Sequence, residues 1–282
     1  MPWLDRDGRL SPLKLAVFLA LFVPALLTAY DWFTGELGPE PLRAAMKGIG
    51  QDTLHILLLA LLATPARQVL RMPRIATLRR MLGVAAMVYG LVHLTLYAAH
   101  QGWNPWSIVS EIALRFYLTI GFVALLGLVA LGVTSTDGMI RRMGGPAWRR
   151  LHRLAYPIGL LATVHFILHA KSNVTAPMVM AGLYLWLMGY RALAPQGGAP
   201  GAPLLAALAV GATAATAAME FAWYGLTTGI DPWRVLAANL DIDLAPRPAA
   251  WVLAAGLAVV LARLLRAQWA PRRRAAMAAA QG

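Results

Sequence analysis

The chain has 282 residues, 59% hydrophobic and only 13% charged, where a soluble domain carries about 25% charged residues. A soluble globular fold is therefore excluded, and the length allows about ten membrane spans of ~20 residues. The net charge of +13 does not point to nucleic acid, because the basic residues sit in short clusters between apolar runs, as topology-setting loop charges do. The absence of cysteine excludes disulfides, iron–sulfur clusters, thiolate metal sites and thiol catalysis, and leaves histidine as the metal ligand to look for.

The apolar runs predict an all-α, polytopic membrane helix bundle with eight spans at 13–32, 49–65, 81–99, 114–134, 153–170, 176–193, 202–224 and 249–267. The first run follows Arg6, Arg9 and Lys14 in the manner of a secretory signal. No convincing small-residue cleavage site lies at Leu26–Tyr30, so it is expected to remain as an uncleaved first helix. The second span carries His55, and the third carries His93 and ends at His100. The fifth follows Arg149, Arg150 and Arg153, has His152 at its mouth, and carries His165 and His169. After the sixth span, the Pro- and Gly-rich stretch Ala194–Pro203 reads as a linker. It separates a histidine-bearing domain, 1–193, from a C-terminal two-helix extension, 204–282, with a basic tail. The extension is rich in alanine, which suits close helix packing.

Lys and Arg set the orientation. The N-terminus, 66–80, 135–153, 191–201 and the tail hold 19 of them, while Arg43, Lys47, Arg115, Lys171, Arg234 and Arg247 make 6 on the opposite side. This split puts both termini in the cytoplasm. Most acids, including Glu36, Glu40, Glu111, Asp231, Asp241 and Asp243, fall on the outer side, in agreement.

Histidine is a poor guest in hydrocarbon, so an intramembrane histidine is a functional candidate. His93 and His165 each lie 12 residues into spans that start on the same side, which is ~18 Å from that edge at 1.5 Å per residue. Equal depth on two helices of like direction is what one haem needs from two axial ligands, so both are assigned to haem iron. The alternative for either alone is a hydrogen bond across a helix interface. His152 precedes His165 by 13 residues, ~20 Å along an axis and roughly 140° off its face in a straight helix. Pro157 could bend that helix. The third span offers Arg80, not histidine, at the matching position. His152 is therefore placed as a ligand of a second haem, a propionate contact, a point where electrons enter, or an interfacial residue. His55 reads first as packing and second as an extra ligand, and His100 and His169 read as rim residues.

Arg79, Arg80, Arg149, Arg150 and Arg153 read first as topology and headgroup contacts, and second as partners for flavin phosphate or haem propionates. Tyr89, Tyr97, Tyr117, Trp103, Trp106 and Trp148 read as interface or packing residues. No catalytic triad, phosphate-binding loop or intramembrane carboxylate chain is visible, and Glu220 stands as a lone acid in the seventh span.

Several segments then occur in a telling order: Arg-Arg-Met-Leu-Gly (79–83), Leu-Val-His-Leu-Thr-Leu-Tyr (91–97), Arg-Phe-Tyr-Leu-Thr-Ile-Gly (115–121), Thr-Ser-Thr (134–136), Trp-Arg-Arg-Leu-His-Arg-Leu-Ala-Tyr (148–156), Val-His-Phe (164–166) and Lys171. Over about 10–193 the chain resembles the haem-binding membrane subunits of the protein-methionine-sulfoxide reductase system, within the ferric-reductase-like transmembrane family. The resemblance implies a bacterial inner-membrane b-type cytochrome with one or two haems, and FMN as a further cofactor. It implies electrons taken from the quinone pool or a cytoplasmic flavin reductase. They would pass to a periplasmic molybdopterin subunit that reduces methionine sulfoxide in oxidised proteins. The family's motif histidines map onto His93, His152 and His165, the three that depth and spacing single out. The two additional spans and His55 depart from the family pattern.

The expected function is thus transmembrane electron transfer by a subunit that does not itself perform the final reduction, since no large soluble catalytic domain is present. Two alternatives stand beside it: a quinol-dependent ferric or cupric reductase working alone, and a haem-free scaffold or transporter.

Overall fold

A computed structural model describes residues 3–4, 7–170, 173–195, 198–241 and 245–279, with side chains described up to residue 268. Arg6, Lys171, Asp243 and part of the expected linker lie outside the described residues. The chain is all-α, as its composition predicts. Among the described residues the only extended pairing is an isolated bridge between Leu4 and Leu10.

The first apolar run forms α1 (Pro12–Ala20) and α2 (Val23–Thr34). Pro24 has no N–H to give to the carbonyl of Ala20, so the helical ladder opens there. The hydroxyl of Tyr89 fills the next rung. It donates to the Leu21 carbonyl at 2.6 Å and accepts from the Ala25 N–H at 3.2 Å. A side-chain hydroxyl thus stands in for one backbone bond between residues i and i−4, which satisfies both groups where no water would. Tyr89→Phe leaves them unpaired and is expected to cost about 1–3 kcal/mol. A denaturant titration of the purified chain would read this as a lower midpoint at unchanged slope.

Next come α3 (Pro41–Leu70), a 3₁₀ turn (Pro73–Thr77), α4 (Leu78–His100), α5 (Pro105–Leu114) and α6 (Phe116–Val133). The Asn104 side chain caps α5 through the N–H groups of Trp106 and Ser107. Two short helices, α7 (Asp137–Met143) and α8 (Gly145–His152), precede α9 (Ala155–His169). The bend expected from Pro157 lies four to three residues before it, between α8 and α9, where Pro157 cannot continue the ladder. The remaining helices are α10 (Thr175–Leu193), α11 (Ala202–Thr227), α12 (Pro232–Ala238) and α13 (Pro248–Ala279).

Seven segments are long and apolar enough to cross a membrane by length and composition, where the sequence reading expected eight spans. The difference is α10. Its 19 residues would cross, at 28 Å or so, but Tyr184, Trp186, Tyr190 and Arg191 lower its hydropathy.

Contacts divide the chain into two compact units, Met1–Ala63 with Ala76–His169, and Thr64–Ile75 with Ala170–Gly282. In the first, α6 packs between α4 and α9, and a core of Ile49, Ile56, Leu57, Leu82, Ala86, Leu128 and Ile158 fills the space among the helices. The start of α3, the end of α4, the start of α6 and the end of α9 share one end of this unit, here the His169 end. The other is the Trp148 end.

In the second unit α10, α11 and α13 pack together. The packing boundary thus falls after His169, whereas the expected division at 193 follows the histidines. Gly182 on α10 is the reason α10 joins the extension: it has no side chain, and Thr216 and Val252 close against it. Glu220, a lone acid in the sequence reading, is 1% exposed and paired with Arg247 at 2.6 Å, with Asn239 donating to it at 3.0 Å. This buried ion pair joins α11 to the loop before α13.

Candidate functional site

His93 and His165 are held in the same way. His93 projects from α4 toward α3, and its Nδ1 lies 2.8 Å from the Met46 carbonyl. His165 projects from α9 toward α6, and its Nδ1 lies 2.7 Å from the Tyr117 carbonyl. A carbonyl only accepts, so each Nδ1 carries the proton and each Nε2 keeps its lone pair. Neither Nε2 forms a hydrogen bond among the described residues.

Both rings lie over a glycine. A methyl group on Gly50 would sit 2.8 Å from Nδ1 and Cε1 of His93. One on Gly121 would sit 2.6 Å from Nδ1 of His165. In each case the accepting carbonyl belongs to the residue four before the glycine, the one that also takes the glycine N–H in the helical ladder. The pattern of glycine, carbonyl and imidazole is therefore repeated, once across α3 and α4 and once across α6 and α9.

Such an arrangement presents two neutral imidazoles with free Nε2 atoms, each fixed in tautomer and ring orientation by a backbone acceptor. This is how a protein prepares a histidine for a metal. The donor set suits haem iron, which takes two axial imidazoles. It does not suit a chelated metal ion: no group of three or more His, Cys, Asp or Glu converges among the described residues.

His152 lies at the Trp148 end and is held differently. Its ring stacks on Trp148 at a centroid distance of 3.8 Å. Its Nδ1 faces the Trp148 carbonyl at 3.1 Å and its Nε2 faces the Ser135 hydroxyl at 3.2 Å. Trp148 in turn donates to the Thr134 carbonyl at 3.0 Å. Nδ1 of His152 therefore donates to a carbonyl, as in the other two rings, and Nε2 stands beside a hydroxyl whose one hydrogen also reaches the Leu131 carbonyl at 2.7 Å. Arg79 is within electrostatic range, and Arg80 pairs with Asp137.

The other histidines also find places. His55 pairs with Asp52 at 3.5 Å, one turn away on α3. His169 lies nearly parallel to His165 with ring centroids 6.2 Å apart, and is tilted at 42° to Tyr117 at 5.9 Å. His100 lines a cavity of about 250 Å³ with Glu40, Pro41, Leu42 and Arg43. Sequence reasoning missed Gly50, Gly121 and Asp52.

Comparison with known proteins gives the chain a family. Residues 51–163, which span Gly121 and His93 and stop two residues short of His165, match the ferric reductase like transmembrane component family. The chain is 38% identical over 188 residues to the protein-methionine-sulfoxide reductase heme-binding subunit MsrQ of Rhodospirillum rubrum, covering 66% of this chain and 89% of that one. The chain belongs to the MsrQ family. The MsrQ of Xanthomonas campestris pv. campestris is 40% identical over 185 residues, covering 63% of this chain and 84% of its own. That of Caulobacter vibrioides is 36% identical over 176 residues, covering 62% and 84%. These MsrQ alignments leave about a third of the chain unmatched, in keeping with a chain longer than its relatives. No solved structure matches. With its apolar helices, family membership makes the chain a multi-pass membrane protein.

Proposed function

We propose that the chain is a b-type haem electron carrier in the bacterial inner membrane, with His93 and His165 as the axial ligands. The observation that carries the reading is the repeated setting of these two imidazoles, each with Nδ1 committed to a backbone carbonyl and Nε2 free. When bound, the haem supplies a one-electron carrier whose potential the surroundings tune. His93 and His165 hold and orient it. The Met46 and Tyr117 carbonyls keep the proton on Nδ1. Gly50 and Gly121 give the rings room, and α6, with no charged residue from Phe116 to Val133, excludes water.

His152 fits a point where electrons enter at the Trp148 end better than a second iron ligand, because its ring is stacked on Trp148 and its Nε2 faces the Ser135 side chain. The arginines at that end suit a flavin phosphate, so FMN and either donor, the quinone pool or a cytoplasmic flavin reductase, belong to the proposal. With both termini cytoplasmic, the His169 end faces the periplasm. Electrons would leave there for a molybdopterin-containing methionine-sulfoxide reductase.

The test uses the full chain in nanodiscs, chemically reduced and mixed with that catalytic subunit. Methionine sulfoxide is expected to reoxidise the haem only when the subunit is present. Reoxidation by ferric or cupric chelate alone, with none through the subunit, would instead mark a metal reductase.

A further inference from the structure

The ligand plane sits close to the His169 end. Tyr117, whose carbonyl holds His165, is the second residue of α6, and Arg115 stands immediately before that helix. Met46, whose carbonyl holds His93, is the sixth residue of α3 and is followed by Lys47. A haem on these ligands carries two carboxylates on one edge. Turned toward the Trp148 end, that edge would run along the uncharged length of α6, a costly place for carboxylates. Turned toward the His169 end, it leaves the apolar region within about a turn.

The cations at that end are not equivalent. Arg43 is committed to Glu40 at 2.8 Å, and its guanidinium holds the Glu40 carboxyl below the usual carboxylate range. Arg115 is bound to Glu111 and to the Tyr117 hydroxyl. Lys47 makes no hydrogen bond or ion pair among the described residues, although it lies three residues from Gly50 and within electrostatic range of His169. Lys47 is exposed and lies also within electrostatic range of the Glu40 carboxylate, but unlike those two guanidinium groups its ammonium is not tied up in a hydrogen bond and is free to meet an anion at the edge of the ligand plane.

We propose that Lys47 binds a carboxylate of the haem and so fixes the haem with its acidic edge toward the His169 end. The proposal rests on the haem reading above. Lys47 is a positioning residue that holds the group without ligating iron. Its charge also favours the ferrous state, which carries one positive charge fewer at the iron.

Haem b and haem dimethyl ester, whose carboxylates are blocked, are each loaded into the full-length wild type, Lys47→Gln and Lys47→Arg. Haem loss to an acceptor protein and the midpoint potential are then measured. With haem b, Lys47→Gln is expected to lose haem roughly tenfold faster, the worth of one charge-assisted hydrogen bond. Its low-spin spectrum should be unchanged and its potential lower, with Lys47→Arg restoring both. With the dimethyl ester, wild type and Lys47→Gln should lose haem at the same rate. Equal acceleration with both haems, or no change with haem b, overturns the proposal. An effect that appears only in anionic lipid, with either haem, also overturns it and assigns Lys47 to a lipid phosphate. Failure of the haem reading itself shows separately, as a wild type that takes up neither haem.

Discussion

His93→Ala and His165→Ala are each expected to abolish the low-spin b-type spectrum, while His152→Ala keeps it. The two rings share one setting, with Nδ1 bonded at 2.8 Å or 2.7 Å and Nε2 free, so on the proposed reading removal of either would take away one of the two residues that hold the haem. The loss should exceed the roughly 10–100-fold that changes around a metal ligand usually cost. His152 instead stacks on Trp148, with the Trp148 carbonyl at Nδ1 and the Ser135 side chain in front of Nε2. Its loss should slow electron entry from the donor without reducing haem content. Added imidazole gives a control for folding: it can fill the space left in His93→Ala or His165→Ala and restore a low-spin spectrum, which a misfolded bundle would not allow. Pyridine-haemochrome quantitation of each purified variant, with and without imidazole, reads the result.

Gly50→Ala and Gly121→Ala should damage haem binding without damaging the fold. The added methyl would fall 2.8 Å and 2.6 Å from the two imidazole rings, closer than carbon and nitrogen normally approach, so the ring must turn away from its carbonyl. A decrease in haem affinity of about 10–100-fold is expected, as for other disturbances of a ligand's orientation. Alanine is the better helix former by about 1 kcal/mol, so the haem-free helices should be no less stable. Opposite signs on the two measurements separate an effect on the site from general destabilisation. Gly48→Ala serves as the control, since a methyl there meets nothing within 4 Å. Haem titration and thermal unfolding of the three apo variants would show the contrast.

The all-α membrane class was legible because hydropathy is summed over long windows and survives errors at single residues. His93 and His165 could be picked out as candidates because an imidazole in an apolar span is conspicuous and depth follows from counting. What surrounds the pair could not. Gly50 and Gly121 look like any other glycine in a membrane helix, where close packing is the usual reason for one. Only the structure shows a ring above each. The Met46 and Tyr117 carbonyls are backbone groups that leave no mark on the sequence. The break at Pro24 within the first span was not expected, and the hydroxyl that bridges it comes from Tyr89, 64 residues after Ala25. Glu220 looked solitary because its partner Arg247 is 27 residues away. The straight-helix geometry for His152 and His165 did not apply, since the chain breaks between α8 and α9. α10 was assigned with the histidine-bearing helices by its place in sequence, whereas Gly182 lets it close against α11 and α13.

The most direct test of the central claim is the reduced-minus-oxidised visible spectrum of the purified wild type after haem supplementation, with electron paramagnetic resonance of the oxidised form. The account predicts a low-spin b-type spectrum with a bis-imidazole signal. A folded chain that stays colourless, or holds only high-spin haem, would contradict the assignment of His93 and His165 as a ligand pair.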